Sequence, residues 1–102
     1  MTTIAMDRGP EVLVKRDCFG GERIIELRLA APITEEGLDR LGGQKTVLRQ
    51  LPRPLYRVDV PGHYLVSGIL GDDVVRFTVR LVARDHAMEF ALAGARKLAA
   101  ST

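Results

Sequence analysis

Apolar residues along this chain recur either at every second position or at helical spacing, and the switches between the two periods divide it into elements. Glu11-Val12-Leu13-Val14-Lys15-Arg16 is a short β-favouring run, and Cys18-Phe19-Gly20-Gly21 supplies glycines suited to a tight turn. In the next run Ile25, Leu27 and Leu29 share one face while Ile24, Glu26 and Arg28 share the other, which predicts a first hairpin. Pro32 ends that strand. Thr34 then stands as a helix N-cap before Glu35 and Glu36, with Leu38 and Leu41 spaced toward a core and Gly42-Gly43 as the stop.

The stretch Thr46 to Leu51 reads either as a strand or as loop, and Pro52 and Pro54 forbid a helix there. From Leu55 the period is two, with Tyr56, Val58 and Val60 opposed to Arg57 and Asp59. Pro61-Gly62 turns the chain into a strand over His63 to Leu70, and Gly71-Asp72-Asp73 turns it again. Val74 to Val82 is the clearest strand, because Val75, Phe77, Val79 and Leu81 alternate with Arg76, Thr78 and Arg80. Asp85 is then the expected N-cap of a final helix. Met88, Leu92, Ala95 and Ala99 mark its apolar stripe, and Arg96 and Lys97 complement its negative end.

These elements predict an α+β fold, a two-layer sandwich of order β-β-α-(β)-β-β-β-α, with the bracketed strand at Thr46–Leu51. The sheet is mainly antiparallel, and the C-terminal helix covers one face. A ferredoxin-like arrangement is the alternative, against which the hairpin-first order argues. With 102 residues the chain is read as one domain, 1–102, with loosely held ends at 1–9 and 100–102. Its apolar runs fall far short of a membrane span, its first ten residues hold no secretory apolar core, and the single Cys18 has no disulfide partner. A cytoplasmic location is the expectation.

Charge changes this picture only locally. The formal net charge of +2 is too small for the field of a dedicated nucleic-acid binder. Residues 45–84, however, hold seven basic side chains against three acidic ones, nearly all of the seven arginine. Arg57, Arg76 and Arg80 fall on the polar side of their strands, where a planar guanidinium fork suits a carboxylate or phosphate. The plainer reading is a solvated face in a chain that uses arginine throughout. Sheet-surface recognition of bases needs exposed aromatic platforms, and Phe77 and Tyr56 alternate to the apolar side, so the sequence argues against nucleic acid as the partner.

Candidate chemistry is thin. Cys18, His63 and His86 are the only soft ligands or Cys/His pair, widely spaced and without a CxxC, HxH or HExxH pattern, yet all three fall at turns or a helix start where side chains are accessible. They define the alternative of a small metal-binding or thiol-dependent enzyme. Gly42-Gly43-Gln44-Lys45-Thr46 echoes the end of a phosphate loop, but position 38 is Leu and no helix can follow. Asp72-Asp73 and Glu35-Glu36 are adjacent carboxylates that point apart, and Ser67 lacks a nucleophile elbow.

One strand carries more information. Tyr64, Val66 and Leu70 lie on one side of it and Leu65 and Ile69 on the other, so apolar residues face both ways. Either a partner or a second copy covers the second face, or the strand is buried between the C-terminal helix and the Thr46–Pro54 segment. The leading expectation is therefore a non-catalytic binding or accessory module acting through its sheet on a protein partner or as a homodimer. No cofactor and no membrane are implied; the further alternative is binding of an anion or nucleic acid through the basic 45–84 segment, with a small anionic ligand at the arginines.

Overall fold

The computed structural model describes residues 10–18, 20–50 and 52–99. The expected loose ends at 1–9 and 100–102 lie outside them. Six strands form one sheet: β1 (Glu11–Asp17), β2 (Arg23–Arg28), β3 (Gln44–Leu48), β4 (Leu55–Val60), β5 (Tyr64–Ile69) and β6 (Val74–Val79). Helix α1 (Glu35–Asp39) links β2 to β3, and a 3-10 segment, Leu81–His86, leads into helix α2 (Ala87–Ala99). The fold is an α+β two-layer arrangement, as the alternation of periods predicted.

Every neighbouring pair is antiparallel, in the order β1-β2-β6-β5-β4-β3. Strands β3 to β6 form a meander, β1 and β2 a hairpin, and β2 joins the two by pairing with β6. Helix α1 thus carries the chain to the far edge, past three intervening strands. A ferredoxin-like unit splits its strand–helix–strand crossover by a single strand, so that alternative does not form.

The core lies between the sheet and α2. Ile25, Leu27, Val58, Val66, Val75, Phe77 and Val79 are fully buried on the helix side, each at a position the two-residue period assigned to the apolar face. Helix α2 packs on them with Ala87, Ala91, Gly94, Ala95 and Leu98. This corrects the stripe of Met88, Leu92, Ala95 and Ala99: Met88 and Leu92 are only partly buried and Ala99 is exposed. The physical reason is close approach. A Cβ at Gly94 would stand 2.6 Å from Phe77 Cε2 and 3.0 Å from the Tyr64 hydroxyl, so small residues face the sheet along most of the helix, with Leu98 the one large side chain among them.

Boundaries also differ from expectation, by one residue at each end of β5 (Tyr64–Ile69 against His63 to Leu70) and by more elsewhere. The last strand stops at Val79 instead of Val82, and Asp85 lies within the 3-10 segment instead of capping α2. The amide of Ala83 donates to the Arg80 carbonyl, tightening the chain into that segment before α2 begins. In the ambiguous Thr46–Leu51 stretch, of which Leu51 lies outside the described residues, strand β3 takes up Thr46 to Leu48 and starts earlier, at Gln44, and it extends the sheet edge instead of burying β5.

Local signals elsewhere match the sequence reading. The Thr34 hydroxyl accepts from the Gly37 amide at 3.1 Å, and Gly42, at φ +79°, ends the turn after α1. The Arg40 guanidinium donates to the carbonyls of Lys97 at 2.7 Å and Leu98 at 3.1 Å, locking α1 to the negative end of α2.

Candidate functional site

The second face of the sheet carries no helix, and no described element covers it. Its positions follow from the register. One cross-strand row runs Val14, Glu26, Arg76, Ser67, Arg57, Thr46 across all six strands. Beside it, Leu48 pairs with Leu55 and Leu55 with Ile69, with Val74 and Arg28 continuing on β6 and β2. A third row holds Arg16, Ile24, Thr78, Leu65, Asp59 and Gln44. The face is therefore amphipathic in bands: a polar row with arginines at its centre, next to an apolar row that reaches the β3 edge.

Exposure agrees with this division. Leu48 is 55% exposed and Leu55 37%, and among the residues of this face only Ile24 is buried. Two adjoining concavities lie along the rows. The larger, of about 530 Å³, is lined by Gln44, Thr46, Leu48, Leu55, Arg57 and Ser67 among others, and the smaller, of about 380 Å³, includes Glu26, Ile69, Val74 and Arg76. Leu55 and Ser67 belong to both, so they form one shallow groove.

Arg57, Arg76 and Arg80, singled out by alternation alone, all belong to this face, but their electrostatics differ. Arg76 donates from Nε at 2.8 Å and Nη2 at 2.7 Å to one carboxylate oxygen of Glu26, its cross-strand neighbour. Arg80 is paired with Asp59 across β5. The Arg57 side chain is exposed and, among the described residues, makes no hydrogen bond or ion pair. It sits between the hydroxyl side chains of Thr46 and Ser67 in the register, where an arriving carboxylate would meet a guanidinium with its donors free.

Of these residues the sequence pointed to Ile69, as part of an apolar second face, and to Ser67, only as a nucleophile without an elbow; Glu26, Thr46, Leu48, Leu55 and Val74 were not singled out. Alternation assigns each residue to a face, but which residues share a row depends on strand order and register.

The second candidate set does not converge into a site. Cys18 lies in the β1–β2 turn, its amide donating to the Glu22 carbonyl at 2.7 Å. His63 and His86 both stand edge-on to Phe90, with ring centroids 5.0 and 6.3 Å away, and His86 Nδ1 is 3.1 Å from Glu89. Among the described residues no group of three or more His, Cys, Asp or Glu side chains is placed to hold a metal ion. The carboxylates Glu35 and Asp39 are engaged with Lys45 and Arg49 on the helix side: the Arg49 hydrogen bonds hold the Glu35 carboxyl below its usual range, and Asp39 raises Lys45.

Two buried phenols complete the titratable groups of interest. Burial pushes Tyr56 and Tyr64 above the ordinary tyrosine value, with the Asp72 charge adding to the effect at Tyr56. The Tyr56 hydroxyl has no hydrogen-bond partner among the described groups. Among the described residues no helix is long and apolar enough to cross a membrane. Geometry and chemistry are thus the only guides to function, since no protein-family model, no curated protein and no solved structure matches this chain.

Proposed function

We propose that the protein is a non-catalytic binding module that engages a protein partner through the open face of its sheet. The observation that carries this reading is the uncovered apolar row of Leu48, Leu55, Ile69 and Val74 lying beside the unpaired Arg57. Covering apolar surface is favourable at roughly 25 cal/mol per Å², and a row of side chains flanked by a cation supplies both affinity and orientation. Arg76 and Arg80, already neutralised by Glu26 and Asp59, frame the contact. Arg57 is the one of the three with its charge free to direct it.

The test is native mass spectrometry of the protein purified gently from its own host, comparing the wild type with a Leu48→Asp/Leu55→Asp variant. Both positions are exposed at the surface, so the variant should keep its circular dichroism spectrum and melting temperature. The expected result is a retained second polypeptide on the wild type that the variant lacks. A bare monomer in both, or the same retained mass in both, sinks the reading.

A further inference from the structure

We infer that the partner binds as an added β-strand along β3, and that it presents a carboxylate opposite Thr46; this rests on the proposed role of the open face and gives it a mode and a ligand chemistry. The sheet has two edges, and they are unlike. β1 carries an irregularity between Val12 and Val14, the kind of bulge that twists an edge away from further pairing. β3 pairs with β4 residue for residue from Gln44 to Leu48, without a bulge or a proline. Being terminal, it directs alternate N–H and C=O groups away from β4, and no described backbone hydrogen bond from a loop or turn engages them.

Natural edges are commonly guarded by lysine or arginine. Here those guards are tied down on the other side. The Lys45 ammonium lies 2.7 Å from Asp39 and 3.4 Å from Glu35, and Arg49 reaches the same Glu35 at 2.7 Å. With both cations drawn toward α1, the strand is left open to a newcomer.

Charge selects the newcomer. A strand added to β3 would lie about 10 Å from β4, two strand spacings. Glutamate and arginine side chains close that span over a threonine, so an acidic residue opposite Thr46 meets Arg57. Two positions along the added strand, a residue on the same face stands opposite Leu48 and extends the apolar row of Leu48 and Leu55. A second copy fits less well. Pairing β3 with itself about Thr46 places two unneutralised Arg57 side chains in one row, and five residues of strand bury little surface by the standard of a stable dimer. An extended acidic segment supplies the missing charge, in the mode of strand addition.

The experiment uses the full chain and the seven-residue peptide Thr-Leu-Thr-Glu-Thr-Val-Thr, blocked at both ends, with a control carrying Lys in place of Glu. Binding is followed by titration calorimetry, and amide hydrogen exchange is read with and without peptide. The expected result is binding of the Glu peptide with new protection confined to amides of Lys45 to Leu48. Arg57→Glu should weaken it by roughly tenfold or more and should favour the Lys peptide by a similar factor. Equal affinity for the two peptides, or binding without protection of β3, overturns the inference. So does protection of β3 that rises with protein concentration alone, which would make a second copy the occupant. If these fail while the Leu48→Asp/Leu55→Asp variant still loses its retained polypeptide, the open face remains the binding surface and only the mode and chemistry are wrong.

Discussion

Replacing Tyr56 by phenylalanine should stabilise the protein, against the usual direction of a core substitution. The Tyr56 side chain is 2% exposed and its ring crosses Gly68, with the hydroxyl unpartnered among the described groups. A buried unpaired hydroxyl costs about 1–3 kcal/mol of desolvation, which phenylalanine does not incur. The void left by one oxygen offsets about 0.3 kcal/mol of this, at ~24 cal/mol per Å³. A net gain of about 1–2 kcal/mol is expected, and each kcal/mol raises Tm by about 4–8 °C in a domain of this size. Differential scanning calorimetry at pH 7 and urea titration at constant m-value read it directly. The same variant carries a second signature. Burial keeps Tyr56 protonated in the folded state above its ordinary value of 10.0, whereas the unfolded chain loses that proton. Wild-type stability must therefore fall as pH rises through 10, and Tyr56→Phe should flatten that limb, leaving the smaller slope due to Tyr64 and Lys45. A lowered Tm at pH 7 would show that the hydroxyl is satisfied, and an unchanged alkaline limb would show that Tyr56 releases its proton alike in the folded and unfolded chain; either result would refute the reasoning.

Gly94→Ala gains about 1 kcal/mol of helix propensity but forces a methyl to within 2.6 Å of Phe77 Cε2, for which overpacking costs about 1–3 kcal/mol. A net loss is expected in thermal melts, and an increase in Tm would deny the close seat of α2. Arg40→Ala removes two hydrogen bonds from the last carbonyls of α2 and should cost about 1–2 kcal/mol, with hydrogen exchange rising first in the last turn of α2. On the acid side, Glu35 is held ionised below its ordinary value by Arg49 and Lys45, so its contribution is present above that value and fades as pH falls through the lowered one. Glu35→Gln should therefore lose stability at neutral pH and show a flatter acid limb; identical acid limbs would mean that solvent screens the pair completely.

β2, β4 and β6 were legible because apolar and polar residues alternate along them: their fully buried side chains occupy the positions that a period of two assigns them. Helix α2 was legible as a helix, but its buried face was not. Alanine and glycine weigh little in a hydropathy pattern, yet they line the buried face, where Phe77 and Tyr64 leave no room for a side chain at Gly94, while Met88 and Leu92 pack at the margin of the core. β3 was ambiguous because a five-residue edge strand with alternating exposure has no fully buried position to declare it. The arginines were assigned to the correct side, yet the distinction among them was out of reach. That Arg76 has Glu26 and Arg80 has Asp59 while Arg57 has neither follows from neighbours supplied by other strands.

The strand order also governs how the chain reaches this fold. Four of the five pairings join strands consecutive in sequence, each a local event. The exception is β2 with β6, where fifty residues separate Glu26 from Arg76. Closing a loop of that length is entropically dearer than closing a hairpin, so the meander and the first hairpin are expected to form ahead of their junction. Ile25 and Phe77, paired across that seam and both fully buried, would then report the rate-limiting step. Substitutions there should slow folding, and so should those at the β3–β4 pair, which belongs to the meander formed before the seam closes. The strand offered to a partner is thus in place before the seam closes, and, standing at the far edge from it, can open without dissolving the seam that holds the two halves together.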